Sequence, residues 1–101
     1  GWVLAQMDIA GGIVAGATAR GRVATIAIDA MKFIRPVHVG DVLSIYAKVT
    51  RIGRTSMAIV LEAWALRNRI GALEKVTEAT FTYVAIDEDR RPRPVPGPGD
   101  A

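Results

Sequence analysis

The chain has 101 residues, half of them apolar, which fits one domain with a real core but only a modest share of its surface buried. It has no cysteine. Disulfides, thiolate metal sites and cysteine nucleophiles are thereby excluded, and a cytoplasmic home is expected rather than a secreted one. The net charge of +3 and the pI near 9.8 favour anionic partners without choosing among nucleic acid, phosphorylated small molecules and acidic membranes.

Residues 2–20 read as one helix, rich in Ala, Leu, Gln and Met. At 3.6 residues per turn, Ala5, Asp8, Gly11, Gly12, Ala15 and Ala19 fall near one face. Trp2, Gln6, Ile9 and Ile13 lie on a second, and Val3, Met7, Ala10 and Val14 on a third. A helix apolar on nearly every side is expected to be buried. Gly21 is its expected stop. Gly11 and Gly12 each cost about 1 kcal/mol of helix propensity, so the fold is expected to need their small size.

Strand-like segments follow. RVATIAIDAM (22–31) is rich in Val, Ile and Thr, and RPVHVGD (35–41) reads as a connection. VLSIYAKVTRI (42–52) alternates, with Leu43, Ile45, Ala47 and Val49 on one side. The Gly53-Arg54 pair marks a turn before TSMAIVLEAWAL (55–66). RNRIGAL (67–73) is a polar turn, and EKVTEATFTYVAI (74–86) the last strand. Short turns between the later strands predict an antiparallel meander. Both faces of 55–66 are substantially apolar, so a second layer or a partner chain is expected, a dimer at least. No uninterrupted apolar run reaches the roughly 18 residues of a membrane span, and no basic start marks a leader. The globular domain is placed at 1–87. Residues 88–101, with Pro92, Pro94, Pro96 and Pro98, are expected to form an extended, partly disordered arm.

The chemistry-bearing residues are few. Asp8 lies inside the apolar helix among small neighbours. A carboxylate there can serve as a general base or a nucleophile. It reads equally as a structural carboxylate paired with a Ser, Thr or Arg of a strand. RIGRTS presents Arg51, Gly53, Arg54, Thr55 and Ser56 at a turn, suited to phosphate and also to an ordinary hairpin. Lys32, Arg35 and the Arg90, Arg91, Arg93 cluster are further phosphate candidates. His38, the only histidine, falls in the 35–41 connection and reads as a surface loop residue. No clustering of ligand residues calls for a metal.

GWVLAQMDIAGG, GRVATIAIDAMKFIRPVHVGD, RIGRTSMAIVLEAW and VTEATFTYVAID, in this order, resemble the hotdog-fold acyl-coenzyme A thioesterases, in particular their short single-domain bacterial members. The resemblance covers residues 1 to about 95. It implies an α+β fold, one long helix wrapped by a curved antiparallel sheet, assembled as a homodimer and often a trimer of dimers. It implies one more strand and an Asn- and Gly-bearing loop ahead of Gly1, the present chain starting inside that motif. It also implies hydrolysis of acyl-CoA to free acid and coenzyme A, with no separate cofactor. Asp8 matches the family's catalytic carboxylate. Gly1, at the helix start, matches its oxyanion donor, Gln6 is a second candidate for orienting water, and the 51–56 turn matches a coenzyme A contact. The pantetheine arm is expected along residues 30–36.

Two other functions compete with hydrolysis. One is a non-catalytic acyl-CoA-binding or regulatory module on the same fold. The other is a nucleic-acid binder using the basic tail, for which the interleaved aromatics of a stacking platform are lacking. A hotdog dehydratase wants a histidine beside the carboxylate, and His38 is far from Asp8 in sequence.

Overall fold

The structure, a computed structural model, describes residues 1–97, with Arg69 in backbone only. One helix, α1 (Trp2–Ala19), precedes four strands: β1 (Val23–Phe33), β2 (Val42–Ile52), β3 (Ser56–Leu66) and β4 (Leu73–Ala85). They form one antiparallel sheet in the order β1-β4-β3-β2. The meander over β2, β3 and β4 is as the short turns require. β1 reaches the far side of β4 because the 34–41 connection carries the chain across to the opposite edge.

Strict alternation builds the core. Met57, Ile59, Leu61, Ala63 and Ala65 of β3 and Ala79, Phe81, Tyr83 and Ala85 of β4 are buried, and they face α1. The intervening residues of both strands are half-buried and mixed in polarity. On that outer side Lys75 bridges Glu62 at 2.8 Å and also contacts Glu78, a charge ladder beside the apolar Val60 and Trp64. Glu62 is held below the usual carboxylate range by Lys75 and then by the Trp64 indole N–H.

The helix is not buried on every side as its composition predicts. Met7, Gly11, Ala15 and Ala19 form the buried stripe, at the i, i+4 spacing of a helix lying on a sheet. Trp2, Ile9 and Ile13 remain 62 %, 59 % and 69 % exposed. Met7 therefore belongs to the packed face, and Asp8 to its flank. By length and composition alone this helix could cross a membrane, contrary to expectation, but its stripe is docked on the sheet of this domain.

The left-handed residue that ends α1 is Arg20 (φ 55°), not Gly21, and the N–H groups of Arg20 and Gly21 both return to the Gly16 carbonyl. Gly21 is small for another reason. A Cβ there would lie 2.5 Å from Arg93 Nη2, and that nitrogen donates to the Ala19 carbonyl at 2.8 Å.

The described part of the tail is accordingly not a loose arm. The chain turns back at 87–91, where the Asp87 carboxylate accepts from the N–H groups of Asp89 and Arg91. Ile86 then bridges Pro92, Arg93 N–H donates to Ala85 O, and Val95 N–H donates to Arg54 O. Arg93 Nε donates to Ile86 O at 3.1 Å. Arg93, read from sequence as a phosphate candidate, is thus engaged with main-chain carbonyls, where a cation suits the negative end of the helix. Residues 98–101, including Pro98, lie outside the described residues.

Candidate functional site

Asp8 sits where α1 crosses the row Thr25, Tyr83, Met57, which are partners across β1, β4 and β3. Thr25 Oγ1 donates to Asp8 Oδ1 at 2.7 Å. Tyr83 Oη lies 2.9 Å from the same oxygen and 3.1 Å from the Asp8 main-chain carbonyl. Among the described residues no cation pairs with Asp8, and Oδ2 receives no hydrogen bond. The carboxylate is therefore neither locked in an ion pair nor loose. One oxygen is pinned, and the other keeps its lone pairs. Burial, and then the hydrogen bond to Asp8, push the Tyr83 phenol well above its usual range, so it stays protonated.

The adjacent glycines Gly11 and Gly12 of α1 differ. Beside Gly12 there is open space, whereas a Cβ on Gly11 would fall 2.2 Å from Tyr83 Oη. Of this pair, only Gly11 has its size dictated by another residue of the chain.

A second feature lies at the start of α1. An open cleft of about 470 Å³ is lined by Gly1, Trp2, Phe33, Arg35 and His38, among others. Two sequence candidates, Gly1 and Arg35, thus meet there, and His38, read as a bystander, borders the same space. The wall of the cleft is braced. Asp41 accepts from His38 N–H at 2.8 Å and from Arg67 Nη1, and Arg67 Nε bonds Glu74 at 2.8 Å. The His38 N–H, followed by Arg67 and the Asn68 N–H, holds the Asp41 carboxyl below its usual range.

Helical rise places Gly1 about 10 Å along the axis from Asp8. The two do not bracket one carbonyl within a single chain. Gln6 is half-buried. The turn carrying Arg51, Gly53, Arg54, Thr55 and Ser56 lies at the other end of the sheet from the cleft, with Gly53 N–H bonded to Ser56 O at 2.8 Å. Met57, in the Asp8 row, is two residues from Thr55, about 7 Å along the strand. Arg51 and Arg54 are exposed. Lys32 sits with the cleft end and lies 3.9 Å from Glu78. The structure therefore groups Asp8 with the 51–56 turn, and Gly1 with Arg35.

Sequence reasoning left out Thr25 and Tyr83 by name. Gly11, a costly residue in a helix interior, was the available signal that some atom approaches there. Among the described residues no group of three or more His, Asp or Glu side chains could hold a metal ion.

Comparison with known proteins bears on the family and the fold. The family model described as "Thioesterase superfamily" matches residues 1–72. The acyl-CoA thioester hydrolase YciA of Salmonella typhimurium is 47 % identical over 102 residues, covering 98 % of this chain and 77 % of that protein. The hexameric thioesterase y2039 from Yersinia pestis superposes with a TM-score of 0.91 at 44 % identity, covering 96 % of this chain and 80 % of that one. A hexameric broad specificity acyl-coenzyme A thioesterase superposes with a TM-score of 0.89 at 40 % identity, covering 97 % and 68 %. The helix on its four-stranded sheet and the sequence match together establish that the chain belongs to the thioesterase superfamily and carries the hotdog fold of its acyl-CoA thioester hydrolases.

Proposed function

We propose that this chain hydrolyses acyl-CoA thioesters to the free acid and coenzyme A, with Asp8 as the reacting carboxylate. The observation that carries the reading is the state of that side chain. Oδ1 is occupied by two hydroxyls, Oδ2 has no hydrogen bond among the described residues, and no cation neutralises the group. Oδ2 takes a proton from water as the water adds to the thioester carbonyl. The tetrahedral intermediate collapses with loss of the coenzyme A thiolate, which recovers the proton. In the alternative course Oδ2 itself attacks and expels the coenzyme A thiolate, giving a mixed anhydride that water opens at the Asp8 carbonyl. The Gly1 backbone N–H at the positive end of α1 is suited to the oxyanion.

Because Gly1 and Asp8 stand apart within one chain, they act on one thioester only when supplied by two protomers. A homo-oligomer, built as a trimer of dimers, is our reading of the assembly. The exposed Trp2, Ile9 and Ile13 and the hexameric relatives support it. Arg51, Arg54, Thr55 and Ser56 are assigned to the coenzyme A phosphates, with Lys32 and Arg35 as secondary contacts.

The test is Asp8→Asn, followed by thiol release from acyl-CoA. A loss of about 10²–10⁴ in kcat is expected for removal of a general base. Turnover at the parental rate would remove Asp8 from the reaction, whereas binding of acyl-CoA by the parent protein without thiol release would leave an acyl-CoA-binding module. Single-turnover hydrolysis in ¹⁸O-water separates the two courses, since attack by Asp8 leaves label in the protein.

A further inference from the structure

We propose that Tyr83 is a positioning residue for Asp8, and that Gly11 is the gap in the helix through which its hydroxyl reaches the carboxylate. The inference rests on the reading of Asp8 as the reacting group.

Tyr83 is 1 % exposed, with its ring stacked near Phe81 at a centroid distance of 6.3 Å. Its oxygen is held between the Asp8 main-chain carbonyl at 3.1 Å and Oδ1 at 2.9 Å. A phenol has one proton, and the carboxylate oxygen is the closer and more basic acceptor. The contact exists only because position 11 lacks a side chain, since a methyl there would stand 2.2 Å from the phenol oxygen.

Thr25, from a different strand, donates to the same Oδ1. Rotation about the Asp8 Cβ–Cγ bond would exchange the two oxygens. Donors from β1 and β4 on one oxygen oppose that and leave Oδ2 as the oxygen without a hydrogen bond. A reacting oxygen held in one orientation lowers the entropic part of the barrier. Burial keeps the phenol protonated, so it donates a hydrogen bond and exchanges no proton during turnover.

Four variants of the full-length protein decide the matter: Asp8→Asn, Tyr83→Phe, Gly11→Ala and Gly11→Ala/Tyr83→Phe. Each is assayed for kcat and KM with acyl-CoA after its oligomeric state is checked. Tyr83→Phe keeps the ring and removes only the hydroxyl. Its kcat is expected to fall about 10- to 100-fold, the range for a hydrogen bond to a charged group, with KM within about twofold. Gly11→Ala displaces the hydroxyl and is expected to fall similarly. In the double variant the 2.2 Å collision is gone and the methyl meets only the ring Cζ and Leu61 Cδ1, each at 3.0 Å, which yield by a few tenths of an ångström, so the second change adds little.

If Asp8→Asn is inactive while Tyr83→Phe keeps the parental kcat, Tyr83 only packs, and the proposal falls while the Asp8 reading stands. If the two single losses multiply in the double variant, Gly11 does not serve the hydroxyl, and the proposal falls again. If Asp8→Asn stays active, both readings are overturned. Gly11→Ala and Tyr83→Phe perturb one contact from opposite sides, so either decides alone should the other not fold.

Discussion

Arg93→Ala is the most informative test of how the chain end is fixed. Arg93 donates to Ala19 O at 2.8 Å and to Ile86 O at 3.1 Å, joining the last turn of α1, the end of β4 and the tail. The Ala19 carbonyl is one of the acceptors that a helix end leaves without an internal partner, and Ala19 is fully buried. Hydrogen bonds from a charged donor contribute about 1.5–3 kcal/mol each when well buried. Arg93 is only half-buried, so solvent compensates part of the loss. A total of about 2 kcal/mol results, equivalent to about 8–16 °C in Tm for a domain of this size. The assay is urea and thermal unfolding at fixed protein concentration. Gly21→Ala supplies the control, because the three atoms nearest its new Cβ all belong to Arg93. It is expected to destabilise the parent and to cost almost nothing in the Arg93→Ala background. A change of less than about 0.5 kcal/mol for Arg93→Ala, the range of an ordinary surface substitution, would refute the reasoning.

Asp41→Asn is expected to destabilise the protein at neutral pH. Because the folded-state pKa of Asp41 is depressed, its contribution is fully present above the unfolded value near 4 and is lost as pH falls through the lower folded value. The stability gap between parent and variant is therefore expected to narrow from pH 5 toward pH 2, as read by urea titrations at stepped pH. A gap constant with pH would remove Asp41 from the acid response. Arg54→Ala is expected to raise KM for acyl-CoA about 10-fold and to leave KM for the corresponding acyl-pantetheine thioester unchanged, since only the former carries the nucleotide phosphates. Equal effects on both substrates in steady-state kinetics would move the phosphates elsewhere.

Much of the fold is legible in the sequence because the punctuation is local. Gly53-Arg54 and the polar 67–73 stretch separate segments of uniform character, and β3 alternates without a break over Ser56–Leu66. The orientation of α1 is not legible, for a physical reason. Apolar residues lie all round it, so its composition does not choose which stripe meets the sheet, and the strands decide in favour of Met7, Gly11, Ala15 and Ala19. The partners of Asp8 are hidden differently. A bulge between Thr25 and Ala27 puts Thr25 and Ile28 both in register with inward residues of β4, which a strict two-residue period does not anticipate. Tyr83 reads as one more aromatic in a strand, 75 residues from the carboxylate it touches. The tail misleads because arginine among prolines signals solvent, whereas main-chain carbonyls at the end of a helix attract the same guanidinium.

The fit between positions 11 and 83 also limits how the family can drift. A side chain introduced at the first site collides with an oxygen at the second, and that oxygen has no other place to go while the ring stays stacked beside Phe81. Position 83 is therefore free to lose its hydroxyl alone, whereas position 11 is free to grow only together with a change at 83. Among thioesterases of this superfamily, a homologue bearing alanine or anything larger where this chain has Gly11 should carry phenylalanine or another hydroxyl-free residue where it has Tyr83.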